Sequence, residues 1–228
     1  MPPFALVTGA SRGIGRAIAL KLASDHHIIA AARSSRQLAD LAESIMRAGG
    51  SCEALPLDVT DWNAVAGALF GRHIDVLVNN AGCGPIKPLL DLQPEEWHRM
   101  VDLNFSALYH VARAVLPGMI ERHRGQIVNI GSIAGRSVFI GGSGYAATKH
   151  AVQAFSESLM LEVRDHGVKV SVVNPGSVST GFSPHASSET WRLAASEVAD
   201  AVAVVVNTAP DVLIHRVEIR ALAPPARG

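Results

Sequence analysis

Cysteine is scarce: the 228-residue chain has two, Cys52 and Cys83. They lie far apart, without metal-ligand spacing or a disulfide framework, which fits two reduced thiols in a reducing cytoplasm. No sign of charge prevails, with 20 basic residues against 20 acidic. A nucleic-acid or anionic-membrane surface therefore has no electrostatic basis. Aromatic residues make up 5%, too few to suggest an aromatic platform for single-stranded nucleic acid. The ten histidines include no His-x-x-x-His pair, so no metal is expected. Apolar runs are broken by Gly, Ser, Asn or His well short of the ~18 residues a membrane span needs. Patterned sequence begins at Phe4, which leaves no room for an apolar leader. The expectation is a soluble, cytoplasmic protein with neither nucleic-acid nor membrane partners.

What is present is a large apolar fraction, 48% against 18% charged, enough to bury a sizeable core. Short apolar runs alternate with segments of helical period. Strands are expected at residues 4–7, 28–31, 54–57, 74–78, 127–130, 168–173 and 212–219. Helices are expected at 13–23, 37–47, 62–70, from 94 to 122 in two pieces, at 145–164 and at 197–206. Asp61 or Thr60 would cap the third of these. The strand runs are continuously apolar, so both of their faces must be covered. This makes an α/β fold, a Rossmann-like doubly wound parallel sheet of seven strands with helices on both faces. One domain over residues 1–222 and a loose tail at 223–228 account for the chain.

The first strand runs into Thr8-Gly9-Ala10-Ser11-Arg12-Gly13-Ile14-Gly15. Glycines between a strand and an amphipathic helix permit a tight turn and let backbone approach a pyrophosphate. The helix start offers free N–H groups and partial positive charge to phosphate. An NAD site usually has an acidic residue about 20 residues further on. Here that region reads Ala32-Arg33-Ser34. Arg33 can hold a 2′-phosphate by charge-assisted hydrogen bonds, and Arg12 can reach it from the other side. The expected cofactor is NADP(H).

Tyr145 and Lys149 stand four residues apart on the long helix and share a face. A cation near a phenol lowers its pKa from ~10 toward a range useful for acid/base work. The pair follows the fifth strand, at the sheet edge where ligands bind in such folds. Ser132, just after that strand, can donate to a carbonyl oxygen and stabilise negative charge there. Asn104 falls in a helical stretch that has little use for asparagine.

The spacing Gly-x-x-x-Gly-x-Gly after Thr8, with Asn79-Asn80-Ala81-Gly82, Asn104, Ser132, Tyr145-x-x-x-Lys149 and Asn174-Pro175-Gly176-Ser177-Val178-Ser179-Thr180, resembles the short-chain dehydrogenase/reductase superfamily, in its compact single-domain branch. The likeness runs over about residues 4–220. It implies further roles. Asp58 and Val59 would meet the adenine edge, although Asp58 reads equally well as a helix cap. The Asn79-Asn80-Ala81-Gly82 element would steady the central sheet and line the cofactor path, with Asn80, Ala81 and Gly82 among the cofactor-binding residues and Gly82 touching cofactor. Pro175 and Gly176 would border the nicotinamide, with the Val178 backbone and Thr180 hydroxyl on its carboxamide. Lys149 would hold the nicotinamide ribose, and Asn104 a water that extends a proton relay.

The implied activity is hydride transfer between nicotinamide and a small carbonyl or alcohol, with Tyr145 as acid/base. Gly84-Pro85-Ile86, Val138 to Ser143 and Phe182 to Ala186 would wall the substrate site, with Arg136 as its one candidate clamp. The ending resembles members that oxidise 3-hydroxy acids or reduce ketones. Val152, Phe155 and Leu159 would face outward on the long helix and support a homodimer or homotetramer. The rival reading from another class is an NADP-binding redox sensor without turnover; the Tyr145/Lys149 pair argues against it. A nucleotide-sugar epimerase needs a larger C-terminal domain than the roughly fifty residues after Gly176 allow.

Overall fold

In the computed structural model, residues 2–180 and 191–222 are described. Fourteen principal elements alternate along them. They are β1 (Phe4–Thr8), α1 (Gly13–Leu22), β2 (His27–Ala32), α2 (Ser35–Arg47), β3 (Ser51–Pro56), α3 (Trp62–Leu69) and β4 (Val76–Asn79). Then come α4 (Pro94–Val101), α5 (Ala107–Glu121), β5 (Gly125–Ile130), α6 (Ser143–Val163), β6 (Val168–Pro175), α7 (Ala195–Val206) and β7 (Arg216–Ile219). All strand pairs are parallel, in the order β3-β2-β1-β4-β5-β6-β7.

Alternation along each strand sends side chains to two separate cores. Ala5, Val7, Ile28 and Ala30 pack with α1, α2 and α7, whereas Leu6, Ile29 and Ala31 pack with α3, α5 and α6. That is why these strands lack polar residues: neither face meets water. Polar caps mark where helices begin. The Ser34 hydroxyl accepts from the Gln37 N–H at the start of α2, and the Asp61 carboxylate accepts from Asn63 and Ala64 at the start of α3.

The chain builds outward from β1 to β3, then returns to lay β4 on the opposite side of β1. Connections leaving β1 and β4 diverge to opposite faces and open a crevice at the carboxyl edge of the sheet.

The expected long helical stretch is interrupted between α4 and α5 by a wide π turn, Asp102–Ser106, centred on Asn104. Two expectations are corrected. Val152 and Leu159 do not face outward: both are buried, Val152 against Leu108 and Val172, and Leu159 in the core that lies over β5 and β6. Phe155 is half-buried, edge-on to Phe105. The exposed side of α6 carries Ala147, His150, Ala154, Ser158 and Leu161 instead. At the other end, Val212 and Leu213 belong to an exposed turn before β7 and not to the strand. Among the described residues no helix is long and apolar enough to cross a membrane.

Candidate active site

The glycine turn after β1 is fixed from behind by the segment that follows β4. The Thr8 hydroxyl accepts from the Asn80 N–H at 3.0 Å and the Ala81 N–H at 3.1 Å. The Asn80 amide donates to the carbonyls of Thr8 at 3.0 Å and Gly9 at 3.3 Å. Gly9 has φ +66°, and a Cβ there would meet Ala81 backbone and the Asn80 amide. A Cβ on Gly15 would run into the Asn80 amide and the Gly9 carbonyl. These contacts draw the turn tight and leave its outer side clear. No side chain caps the start of α1 and its first turn holds no acid, so its N–H groups stay open to an anion.

Asn79 and Asn129 stitch β4 to β5 by a 3.0 Å side-chain bond, and Asn129 continues to the Ser156 hydroxyl at 2.9 Å. These amides tie β4, β5 and α6 together.

A cleft of about 1290 Å³ runs along the carboxyl edge. Every residue assigned from sequence to cofactor or chemistry lines it, except Thr8, Gly15 and Asn104, which sit behind its wall. At one end Arg12 and Arg33 are exposed, with Ser34 and Gln37 beside them. Ser34 and Gln37 were not assigned to the site from sequence, where Ser34 read only as part of the acid-free stretch after the second strand and Gln37 as the start of the second helix. Asp58 also lines this end. Burial works to raise its pKa, but hydrogen bonds from the Thr60 hydroxyl and N–H, with the Arg33 charge, outweigh it and hold the carboxyl below the usual range. Its Oδ1 accepts from both Thr60 groups, so it shapes the turn into α3 while Asp61 does the capping.

At the other end Ser132, Tyr145 and Lys149 converge. Ser132 starts a short 3-10 turn, Ile133–Gly135, and its Oγ accepts from the Ala134 N–H at 3.1 Å. The Ser132 hydroxyl is hydrogen-bonded to the Tyr145 phenol. Lys149 Nζ lies 5.9 Å from the Tyr145 ring centroid and donates to the Ile130 carbonyl at 2.9 Å. Burial pushes the Lys149 pKa down from 10.5 to about 8, against a smaller opposing effect of Cys83. Burial also raises the Tyr145 pKa, and the Ser132 hydrogen bond only partly offsets it. The expectation of a lowered phenol pKa is thus reversed here: Lys149 turns its charge to the Ile130 carbonyl, and desolvation dominates.

Asn104 ties the site together. Its Oδ1 accepts from the Cys83 N–H at 2.8 Å, and its amide donates to the Cys83 carbonyl at 2.8 Å and the Thr148 hydroxyl at 3.0 Å. Thr148 in turn donates to the Tyr145 carbonyl at 2.9 Å. The π turn lets Asn104 reach the start of α6. A small cavity of about 10 Å³ is lined by Asn104 and Lys149 among others, on the scale of a single water.

Past β6, the Thr180 side chain stands where a Cβ on Gly13 would come into ordinary contact with it, at 3.5 Å. Backbone bonds from Ser179 to Leu193 (2.8 Å) and from Leu193 to Ser177 (3.0 Å) hold this segment in place.

The mouth beside Tyr145 is apolar: Ile86, Val138 and Phe139 line it and are exposed, with Leu89, Leu90 and Ile140 just beyond. Arg136 is exposed and does not line the cleft, so the expected clamp is not formed by it. Arg99, Arg192 and Arg220 line the cleft instead; no local motif marked them. Phe182 to Ala186 lie outside the described residues.

The family model described as short chain dehydrogenase matches residues 3–191. The NADP-dependent 3-hydroxy acid dehydrogenase YdfG of Salmonella typhi is 39% identical over 186 residues, 78% of this chain and 74% of that protein. The 3-oxoacyl-[acyl-carrier-protein] reductase FabG of Haemophilus influenzae is 38% identical over 182 residues, 77% of this chain and 74% of that protein. A metagenomic short-chain oxidoreductase solved in complex with NADP superposes with a TM-score of 0.85 at 35% identity, over 97% of this chain and 98% of that one. With that match spanning the glycine turn, the serine and the tyrosine–lysine pair, this chain belongs to the short-chain dehydrogenase family of oxidoreductases.

Proposed function

We propose that this protein is an NADPH-preferring oxidoreductase that interconverts a small carbonyl compound and its alcohol, with Tyr145 as the general acid/base. The observation that carries the reading is the convergence of Ser132, Tyr145 and Lys149 in the same cleft as the glycine turn.

The residues fit a dinucleotide phosphate. The turn from Gly9 to Gly15, with Ser11 and Ile14, offers Cβ-free backbone and open N–H groups to the pyrophosphate. Arg12 and Arg33 supply positive charge for a 2′-phosphate, with no acid at Ala32-Arg33-Ser34 to repel it. Asp58 and Val59 flank the adenine end, and Asn80, Ala81 and Gly82 the middle of the cleft. Pro175, Gly176, Val178 and Thr180 line the same cleft; on this reading they border the nicotinamide, with the Val178 backbone and the Thr180 hydroxyl on its carboxamide. Lys149 would hold the ribose next to it.

The nicotinamide, when bound, supplies or takes up the hydride. In reduction Tyr145 gives its proton to the substrate oxygen, and the Ser132 hydroxyl donates a hydrogen bond to that oxygen. A phenol with a raised pKa is neutral near pH 7 and carries the proton this direction needs. In oxidation Tyr145 accepts the alcohol proton. Asn104, through Thr148, fixes the first turn of α6, and the small cavity beside Lys149 suits one water of a proton relay. The relatives' names point to 3-hydroxy acids and 3-oxoacyl groups, and the apolar mouth favours a carbonyl with an apolar flank.

Assembly into a homodimer or homotetramer belongs to the same reading, through the exposed side of α6 and neighbouring Tyr109 of α5. A light-scattering mass of one chain at micromolar concentration would refute it.

The test is Tyr145→Phe, assayed by NADPH consumption with aldehydes, ketones and diketones and by NADPH formation from NADP+ with hydroxy acids. It should bind NADPH as tightly as the parent and lose about 10²–10⁴-fold in turnover, the scale of general acid catalysis. A variant that stays active would show that the proton comes from elsewhere.

A further inference from the structure

The backbone of Ser132 is held by a side chain and not by the sheet. β5 and β6 pair in register up to Ile130 opposite Val173, and the Gly131 N–H still donates to the Val173 carbonyl at 2.8 Å. The next rung would need an N–H from Pro175, which has none. The ladder ends there, one residue before the serine. The Ser132 N–H instead donates to Asn174 Oδ1 at 3.1 Å.

That oxygen is itself pinned. Gln153 Nε2 donates to Asn174 Oδ1 at 2.5 Å, and Asn174 Nδ2 donates back to Gln153 Oε1 at 3.3 Å. The Ser132 N–H fixes which Asn174 atom is the oxygen, since a donor must face an acceptor; the amide of Gln153 must then present its own donor. All three residues are buried, Asn174 completely. Gln153 lies one helical turn beyond Lys149 and two beyond Tyr145, so it shares their side of α6. A Cβ on Gly131 would run into both amides, and one on Gly135 into Gln153 and the Lys149 carbonyl. Two glycines of the serine loop thus leave the room that the amide pair fills.

We infer that the Asn174–Gln153 amide pair positions the catalytic serine: it ties the Ser132 backbone to the tyrosine–lysine helix, so that the hydroxyl sits at a fixed distance from the phenol. Asn174 and Gln153 touch no reacting atom and act through Ser132. The inference rests on the reading of Ser132 as donor to the substrate oxygen. The Ser132 Oγ accepts from the Ala134 N–H and its hydroxyl is bonded to the Tyr145 phenol, so the aim of that O–H follows the backbone.

The experiment is a double-mutant cycle between Asn174→Ala and Ser132→Ala, read with the ketone that the parent enzyme reduces fastest. Asn174→Ala should lower kcat about ten- to a hundredfold, the scale of small misplacements at a reacting centre. NADPH binding, followed by nucleotide fluorescence, should change by less than about twofold, since no pair member lines the cofactor cleft. Added to Ser132→Ala, Asn174→Ala should cost less than about twofold further, because its only route to catalysis is gone. Gln153→Met, which keeps volume but removes the amide, carries the same cycle if Asn174→Ala does not fold. Equal losses in both backgrounds, or no loss in either, overturn the inference. Full activity of Ser132→Ala alone would instead overturn the catalytic reading beneath it.

Discussion

Lys149 costs the cofactor-free protein stability, and replacing it should show how much. Burial lowers its pKa from 10.5 to about 8, which makes the charged form about 3 kcal/mol less favourable in the fold than in the open chain. Below pH 8 both native and unfolded chains carry the proton and the full penalty applies. Between pH 8 and 10.5 the unfolded chain binds more protons, so stability rises with pH; above that window the penalty is gone. Lys149→Met keeps the stem and removes the charge. It also leaves the Ile130 carbonyl without its 2.9 Å donor, at a cost of about 1–3 kcal/mol. Near neutral pH the balance favours methionine by up to about 2 kcal/mol, or up to about 8 °C in Tm for a chain of this size. Near pH 10 the gap should close or reverse. Thermal unfolding by circular dichroism at the two pH values, without cofactor, reads both numbers, and turnover of the variant should be lost. A Tm difference that is the same at both pH values would refute the reasoning, because it would place the ammonium in an environment that does not resist its charge.

Two further outcomes follow from the site. Since burial raises the Tyr145 pKa and oxidation needs the phenolate, kcat/KM for alcohol oxidation should climb from neutral into alkaline pH; a plateau already reached at neutral pH would contradict the assigned base. Arg33→Ala should lower kcat/KM for NADPH about tenfold, the low end for a charge-assisted contact at an exposed residue, and that for NADH less than about twofold. Equal losses with both cofactors would remove Arg33 from the 2′-phosphate.

Most of the architecture was legible because strands covered on both faces leave unmistakable apolar runs. Where the environment is less uniform the reading slipped. β3, at the sheet edge, begins at Ser51 and not at Ala54, since one side of an edge strand tolerates Ser and Glu. Val212 and Leu213 look like strand but are exposed, and apolar residues alone do not make a ladder. Val152 and Leu159 were assigned to the wrong side of α6 because a helix that is apolar over much of its circumference does not announce which face meets the sheet. Asn104 stood out as an asparagine in a helix, but the π turn that aims it depends on Cys83 and Thr148, far away in sequence. The sign of the phenol shift depends on burial, which spacing does not encode. Asn174 opened a motif that carried the resemblance, but nothing local linked it to Gln153; only folding brings the two amides together.

The apolar side chains at the cleft mouth have a practical corollary. Ile86 and Val138 line it and are more than half exposed, and a greasy collar of that kind around a crevice gives a solvatochromic dye somewhere to settle on the native molecule. Its emission should fade as a ligand takes the collar over. Compounds could then be ranked by occupancy before anyone knows which of them is turned over.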